Sequence, residues 1–339
     1  MTTFRVATEA DDSMLRAMLR ENGMPTPLRS GAQSHVEMTI EREPSFFAGK
    51  NVFGRDWAVI AEEAGEVIGM YTASVMPVHL DGSPTQLGYL GGLRVNPQHR
   101  RRIRHLREGY ASIGRFAPMT VPRWFTVVAA ENESARRLLE RGVPGLPQYH
   151  PQGDYVTFAL PVSRGKRRGL WRKANADEIV PLYNKAAANF QYSPVLNRST
   201  AQSLNCFIAG ASVAALWDQR AFKQIVARRY RKPMLVPLYN AWARAMRRIP
   251  LPREGQALEQ TFVAFLALSE DADAFALIQD LLSHCATPAA SLGVHRNHPL
   301  IPTIERFKPV AYPARIYAVT FNGAPPVSTL PAQPEAALL

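Results

Sequence analysis

Gly91-Gly92-Leu93-Arg94-Val95-Asn96-Pro97-Gln98-His99-Arg100-Arg101-Arg102-Ile103-Arg104-His105-Leu106 decides the fold. It reads as a strand that stops at an Asn-Pro turn and opens into an arginine-crowded helix. Such a junction presents backbone N–H groups at the positive end of a helix dipole, a ready site for phosphate or pyrophosphate. Downstream, Trp124–Ala130 reads as a second strand and Asn132–Arg141 as a second helix.

The organisation around these junctions is mixed α/β. Phe4–Ala7 reads as a strand and Ser13–Glu21 as a helix with Met14, Leu15, Met18 and Leu19 on one face. A short helix is expected around Val36–Arg42. Trp57–Glu62 and Val67–Pro77 read as a hairpin, Gln86–Val95 as the next strand, Arg100–Phe116 as the next helix, and Tyr155–Pro161 as the strand that closes the sheet. The basic run Ser163–Gly169 looks like a linker. Beyond it the scheme repeats in degraded form. Trp171–Ala174 is a strand and Asp177–Asn189 a helix capped by Asp177. Val213–Trp217 pairs with Phe222–Tyr230 across Asp218-Gln219. Ala257–Ser269 is a long strand and Asp271–His284 a helix. Ser291–Val294, a Pro-bounded segment at His298–Pro302 and Ala314–Phe321 finish the unit. Residues 323–339 are rich in Pro and Ala and are expected to be disordered.

The chain has 339 residues, a hydrophobic fraction of 46% and a net charge of +12. The length favours two domains. Basic groups cluster at Arg100–Arg107, Arg164–Lys173, Arg228–Lys232 and Arg244–Arg248. Such a surface concentrates anionic partners, among them a phosphorylated cofactor, an acidic carrier protein, nucleic acid or anionic lipid. Nucleic acid is disfavoured, because only Trp171 and Tyr230 interleave with the basic runs for base stacking. Cys206 and Cys285 lie far apart, in no CxxC or Cys/His cluster. His284, His295 and His298 have no metal-like spacing with carboxylates, so no metal is expected. No apolar run is long enough for a membrane span and no signal core opens the chain, so the default location is cytoplasmic.

The order and spacing of the two strand–helix junctions resemble the GNAT superfamily of acyl-CoA-dependent N-acyltransferases. The resemblance implies two tandem GNAT-like domains, each a mixed, mostly antiparallel sheet flanked by helices. Residues 1–162 would hold the acyl-CoA or phosphopantetheine site, and 163–322 would be a degenerate copy for substrate or acyl chain. In the copy, Ser269-Glu270-Asp271-Ala272-Asp273 stands where a phosphate cradle would fall, and its charges repel a pyrophosphate.

In this family the strand before the turn splays from its neighbour and its backbone bonds the pantetheine arm; the matching residues are Leu93, Arg94 and Val95. The cofactor loop maps onto Arg100, Arg101, Arg102, Ile103, Arg104 and His105. Arg100 matches the family pattern, whereas Ile103 and His105 stand where small residues are expected. A left-handed non-glycine residue costs about 1–2 kcal/mol. A hydrogen bond to a charged group contributes about 1.5–3 kcal/mol. Guanidinium–phosphate forks therefore offset the missing glycines. Asn132 matches the residue that opens the helix beside the cofactor, either as a cap or as a donor to pantetheine. The family often places a Tyr where this chain has Leu139, so the usual acid to the leaving thiolate is missing.

Acyl transfer to a lysine-like amine, whose free pKa is about 10.4, needs a proton acceptor and an oxyanion donor such as a backbone N–H of the splayed strand. Candidate catalytic residues are Tyr89 on that strand, Glu131 at the end of the neighbouring strand, and His150 in a loop with Tyr149 and Asp154. Trp217–Gln224 is a polar-aromatic cluster that either forms a buried turn or lines a substrate cleft between the domains. More diffusely, Trp217–Gln219 with Phe222–Gln224, and His298–Leu300, resemble tandem-GNAT maturases that acylate ribosomally made peptides. The implied reaction moves an acyl group, with a fatty chain as one option, from acyl-CoA or an acyl carrier protein to an amine or a Lys/Orn-type peptide side chain. The alternative is a non-catalytic GNAT-fold scaffold.

Overall fold

A computed structural model describes residues 2–21, 23–25, 36–99, 103–116, 121, 123–162, 167–321 and 328–339. The strands among them are β1 (Thr3–Val6), β2 (Met24–Pro25), β3 (Val36–Glu41), β4 (Arg55–Glu63), β5 (Glu66–Leu80), β6 (Ser83–Val95), β7 (Trp124–Ala129), β8 (Gln148–Pro161), β9 (Arg172–Lys173), β10 (Asn205–Ala209), β11 (Ser212–Trp217), β12 (Gln224–Tyr230), β13 (Gln260–Ala267), β14 (Ala289–His295) and β15 (Val310–Thr320). The α-helices are α1 (Asp12–Glu21), α2 (Ile103–Phe116), α3 (Glu133–Glu140), α4 (Ala176–Ala187), α5 (Arg198–Gln202), α6 (Val236–Ala245), α7 (Ala274–Leu282) and α8 (Ile301–Glu305).

Twelve strands form one sheet in the order β1-β4-β5-β6-β7-β15-β8-β14-β13-β11-β10-β9, and β12-β3-β2 form a second. The sheet is mixed and mostly antiparallel: the parallel pairs are β6–β7 and β13–β14. From either edge inward the same series runs, β1-β4-β5-β6-β7 and β9-β10-β11-β13-β14. Helices follow the repeat too, with α1, α2 and α3 at the places of α4, α7 and α8. The repeat read from the sequence is therefore present.

The two halves exchange their last strands. β15 pairs with β7, β8 pairs with β14, and β8 and β15 pair with each other from Val310↔Ala159 to Thr320↔Gln148. The expectation that Tyr155–Pro161 and Ala314–Phe321 each complete their own half is corrected. Each completes the other's. The main core crosses the boundary as well, packing Phe53, Met76 and Phe125 with Tyr183, Phe265 and Ile316.

Three further expectations are corrected. The segment read as a helix near Val36–Arg42 is strand β3, rich in β-branched residues and paired with β12. β12 does not form a hairpin with β11, because Arg228 on β12 holds buried Glu41 on β3 (Nη2–Oε2 2.5 Å). Asn175, not Asp177, caps α4 by accepting from the Glu178 N–H at 3.1 Å. The tail is the largest departure. Residues 322–327 lie outside the described residues, but Ser328–Leu339 pack against the sheet. Ala332, Ala336 and Ala337 are buried. Gln191 bonds both Pro331 and Gln333 through its backbone. Small side chains let this segment enter a narrow gap that bulkier residues could not.

Candidate functional site

β6 and β7 pair only at Gly88↔Trp124 and Tyr89↔Phe125. The close start depends on Gly88, where a Cβ would lie 2.2 Å from the Trp124 ring. At the apex the Thr126 hydroxyl donates to the Leu90 carbonyl (2.6 Å). Beyond it the strands diverge: β7 is held by β15 and β6 by β5. A bulge then sets Gly92 and Leu93 opposite the single residue Tyr71, between Met70↔Arg94 and Thr72↔Gly91. Gly92 has φ +59°, which glycine adopts without strain. Leu93 is 46% exposed, an apolar side chain turned out beside the fork. On the opposite prong the Ala130 N–H donates to Pro313 on β15. Strand alternation directs the N–H of Ala129 and the carbonyl of Val127 into the fork.

A cavity of about 660 Å³ opens from this fork. From the first half it is lined by Leu93, Arg94, Val95, His99, His105, Glu131 and Asn132, and from the second by Trp217, Phe222, Lys223, Leu258, Phe262 and Ala336–Leu339. Aromatic and aliphatic side chains such as Phe46, Phe47, Phe53, Trp57, Tyr71 and Met76 also wall it. It joins the two halves.

The cavity changes the chemistry of its polar groups. Burial, reinforced by the Arg42 charge, pushes the Lys223 ammonium down to about 7, so the amine is half neutral near neutral pH. Its Nζ donates to the main-chain oxygen of Leu339. Burial pushes the Tyr89 phenol up to about 12, against the lowering pull of Arg94, so it keeps its proton. Arg94 is itself lowered by burial. Tyr110 and Tyr149 share a 2.5 Å hydrogen bond beside Leu139, and both line the cavity. Burial raises both phenols.

The structure brings many of the expected residues together. Tyr89, Glu131, Asn132, Leu93, Arg94, Val95 and His105 line the cavity. Asn132 also caps α3, accepting from the Ala135 N–H at 3.3 Å. Arg100, Arg101 and Arg102 lie outside the described residues. Ile103 and Arg104 do not line the cavity, and Arg104 points to solvent and pairs with Glu108 at 2.7 Å. His150 stands apart on β8, not in a loop, and shares a 3.0 Å hydrogen bond with Thr320. The Trp217–Gln224 segment lines the cavity through Trp217, Gln219, Phe222 and Lys223. Tyr110 and the neutralised amine of Lys223 were not singled out by sequence. An apolar neighbourhood around Lys223 was the signal, but its walls come from distant segments.

The second fork, between β13 and β14, has the same construction. Its pairs are Gln260↔Ala289 to Phe262↔Ser291, and its bulge sets Phe265 and Leu266 opposite Ala214. Phe265 takes the left-handed conformation of Gly92, with φ +51°. The tail fills this fork. The Glu335 carboxylate accepts from the Phe265 N–H (2.8 Å). The Gln333 amide accepts from the His295 N–H (2.7 Å) and donates to the Gly293 carbonyl (2.9 Å). A Cβ on Gly293 would lie 1.9 Å from the Tyr155 hydroxyl and 2.7 Å from Ala336, so glycine there makes room for both the Tyr155 ring and the tail.

Residues 35–107 match the model of the GNAT acetyltransferase domain. No curated protein matches the chain. Among solved structures, a GCN5-related N-acetyltransferase from Kribbella flavida is similar at 14% identity over 77% of this chain, with a TM-score of 0.45. This chain spans 59% of that protein's length. The N-myristoyltransferase of Saccharomyces cerevisiae with bound myristoyl-CoA is similar over 96% of this chain and 84% of its own, at 10% identity and a TM-score of 0.59. A second structure of that enzyme, with myristoyl-CoA and inhibitors, gives 96%, 81%, 10% and 0.58. The chain has the GNAT fold in two successive copies.

Proposed function

We propose that this protein is an N-acyltransferase that takes an acyl group from acyl-CoA, or from the phosphopantetheine of an acyl carrier protein, and passes it to a primary amine. The observation that carries this reading is the single cavity linking the β6/β7 fork to an apolar chamber between the halves. The fork offers a chain-like donor two backbone edges, and the chamber has room for an extended acyl chain. The similar yeast enzyme was solved with myristoyl-CoA, which favours a fatty acyl donor here. A Lys- or Orn-type peptide side chain is the preferred acceptor.

In this reading the thioester carbonyl accepts from the N–H of Gly92 at the bulge. The amine attacks that carbon, and the tetrahedral oxyanion is stabilised by the same donor. Lys223, half neutral at about pH 7 and increasingly neutral above it, takes the proton released by the nitrogen, directly or through water. Collapse expels the thiolate. Tyr110 and Tyr149, still protonated, donate a hydrogen bond to it in place of the Tyr absent at Leu139.

The test is calorimetric titration of the full chain with CoA, acetyl-CoA and a long-chain acyl-CoA, followed by mass spectrometry of lysine and ornithine peptides incubated with each donor. Tighter binding of the long chain and an added acyl mass on the peptide are expected. Binding of an acyl carrier protein alone would reassign the donor. Thioester binding without any amide product would favour the scaffold reading.

A further inference from the structure

We propose that Glu63, His99 and His105 form a binding site for a divalent transition metal, with zinc as the first choice. The three side chains converge from different elements. Glu63 ends β4, His99 closes the short helical turn Pro97–His99 after β6, and His105 lies in the first turn of α2. His99 Nδ1 and His105 Nε2 each stand 3.9 Å from Glu63 Oε2, and all three ligand atoms lie within 4.8 Å of one another.

Burial makes the arrangement informative. The His105 side chain is 7% exposed and that of His99 14%. Neither His99 Nδ1 nor His105 Nε2 has a hydrogen-bond partner among the described residues. A buried polar atom without a partner is costly, and a shared cation satisfies both. The other nitrogen of His105 is already occupied: Nδ1 lies 3.1 Å from the Thr2 hydroxyl. When Nδ1 carries the proton and donates to Thr2, the Nε2 lone pair faces Glu63. Outer contacts of this kind fix the tautomer of metal-bound histidines.

Two imidazoles and one carboxylate suit zinc with a fourth, open position. Ligand bonds of about 2.0–2.2 Å place tetrahedral donors roughly 3.3 Å apart, so the observed spacing needs only a small contraction. In sequence, His99 and His105 bracket Arg100–Arg102. A bound ion would fasten His99 and His105 to the end of β4. This site stands independently of the acyl-transfer reading, since metal binding is measured without any thioester.

The test is equilibrium dialysis of the full chain against zinc, with bound metal counted by plasma mass spectrometry. One zinc per chain is expected. Cobalt in its place should give the strong visible absorption of a tetrahedral site. His105→Gln and His99→Ala should each weaken binding at least tenfold, while His284→Ala leaves it unchanged. Circular dichroism of the metal-free variants separates lost ligation from lost folding. Substoichiometric zinc, or equal binding by the double variant His99→Ala/His105→Gln, overturns the proposal.

A different surface carries a second inference: we infer that the helix α6 rests on an anionic lipid surface. Met234, Leu238, Trp242 and Met246 recur every four residues and are 90%, 69%, 48% and 56% exposed. Leu238 and Trp242 share one face of α6, with Met234 in the turn before it and Met246 just past its last residue. Residues 229–253 hold seven Arg or Lys and no Asp or Glu. An apolar stripe flanked by cations matches the interface of an acidic membrane rather than a neutral one. Sedimentation with phosphatidylcholine vesicles, with and without phosphatidylserine, tests it. Binding should require phosphatidylserine, fall with salt, and drop at least tenfold in Leu238→Ser/Trp242→Ser. Failure to sediment with acidic vesicles, or burial of the stripe in a lipid-free dimer seen by light scattering, overturns it.

Discussion

The two forks of the sheet share a backbone and differ in what fills them. Gly92 and Phe265 occupy equivalent bulges with φ +59° and +51°. The Ala130 N–H goes to Pro313 as that of Arg296 goes to Asp154. In the β13/β14 fork, however, Glu335 and Gln333 already hold the exposed edges. The β6/β7 fork opens on the cavity. The lesson is that strand divergence alone does not make a donor site: the same gap serves as a groove or as a seat for the chain's own tail. The filled fork also displays, in side-chain form, the contacts a linear amide would make in the open one. An amide bridges one prong, and an oxygen meets the N–H of the bulge on the other.

The strongest way to sharpen this comparison concerns Lys223, which reaches the open cavity from the filled half. Lys223→Met should lower kcat/KM by about 10²–10⁴, the usual range for a positioned base. Wild-type kcat/KM should rise with pH through about 7 as the ammonium deprotonates, and the variant should lack that limb. The linkage sign is also fixed. The folded pKa lies below the free value of 10.5, so the unfolded chain binds more protons between about 7 and 10.5. Lys223 therefore makes stability rise with pH across that window, and urea titrations of Lys223→Met should show a flatter dependence.

Emptying the filled fork is the next largest perturbation. Gln333→Ala/Glu335→Ala removes three hydrogen bonds from strand edges, two neutral and one to a carboxylate. At about 1 kcal/mol for each neutral bond and 1.5–3 for the one to ionised Glu335, the loss should be about 3.5–5 kcal/mol in chemical denaturation above pH 7, since burial pushes the Glu335 carboxyl up to about 7. Unchanged stability would break the comparison, because the tail would then be a passenger.

Straining the open fork should act on binding instead. Gly92→Val puts a Cβ 2.7 Å from the Thr72 hydroxyl oxygen, in a left-handed conformation. A cost of about 1–2 kcal/mol predicts roughly five- to thirtyfold weaker binding of acyl-CoA by calorimetry. The smallest effect is expected at the apex. Thr126→Val leaves the Leu90 carbonyl without its donor and should cost about 1 kcal/mol of stability.

Much of this architecture was legible in the chain. Alternation located β4 through β7, and the Asn-Pro turn before Arg100 marked the junction of β6 and α2. The acidic stretch Ser269–Asp273 falls between β13 and α7, where the first half has its Asn-Pro turn between β6 and α2. Pairing between distant strands was not legible, because β8 and β15 carry the same pattern whichever half they complete. The tail misled through composition: Pro and Ala signal disorder on average, yet three alanines fit a narrow gap. Within the site, Tyr89, Glu131 and Asn132 could be read from strand ends. The shifted amine of Lys223 and the Tyr110–Tyr149 pair arise only when remote segments enclose them.

The strand exchange at the centre of the sheet bears on the order in which the chain can be assembled. On the side that faces β15, Trp124 finds its neighbour in Val319 and Tyr155 in Ala314. During synthesis, β7 and β8 must therefore wait with open edges until almost the whole chain has emerged. Long-range pairing of this kind slows folding, and unpaired edges invite association with other chains. The interval before β15 arrives is the period in which a nascent chain has most need of a chaperone.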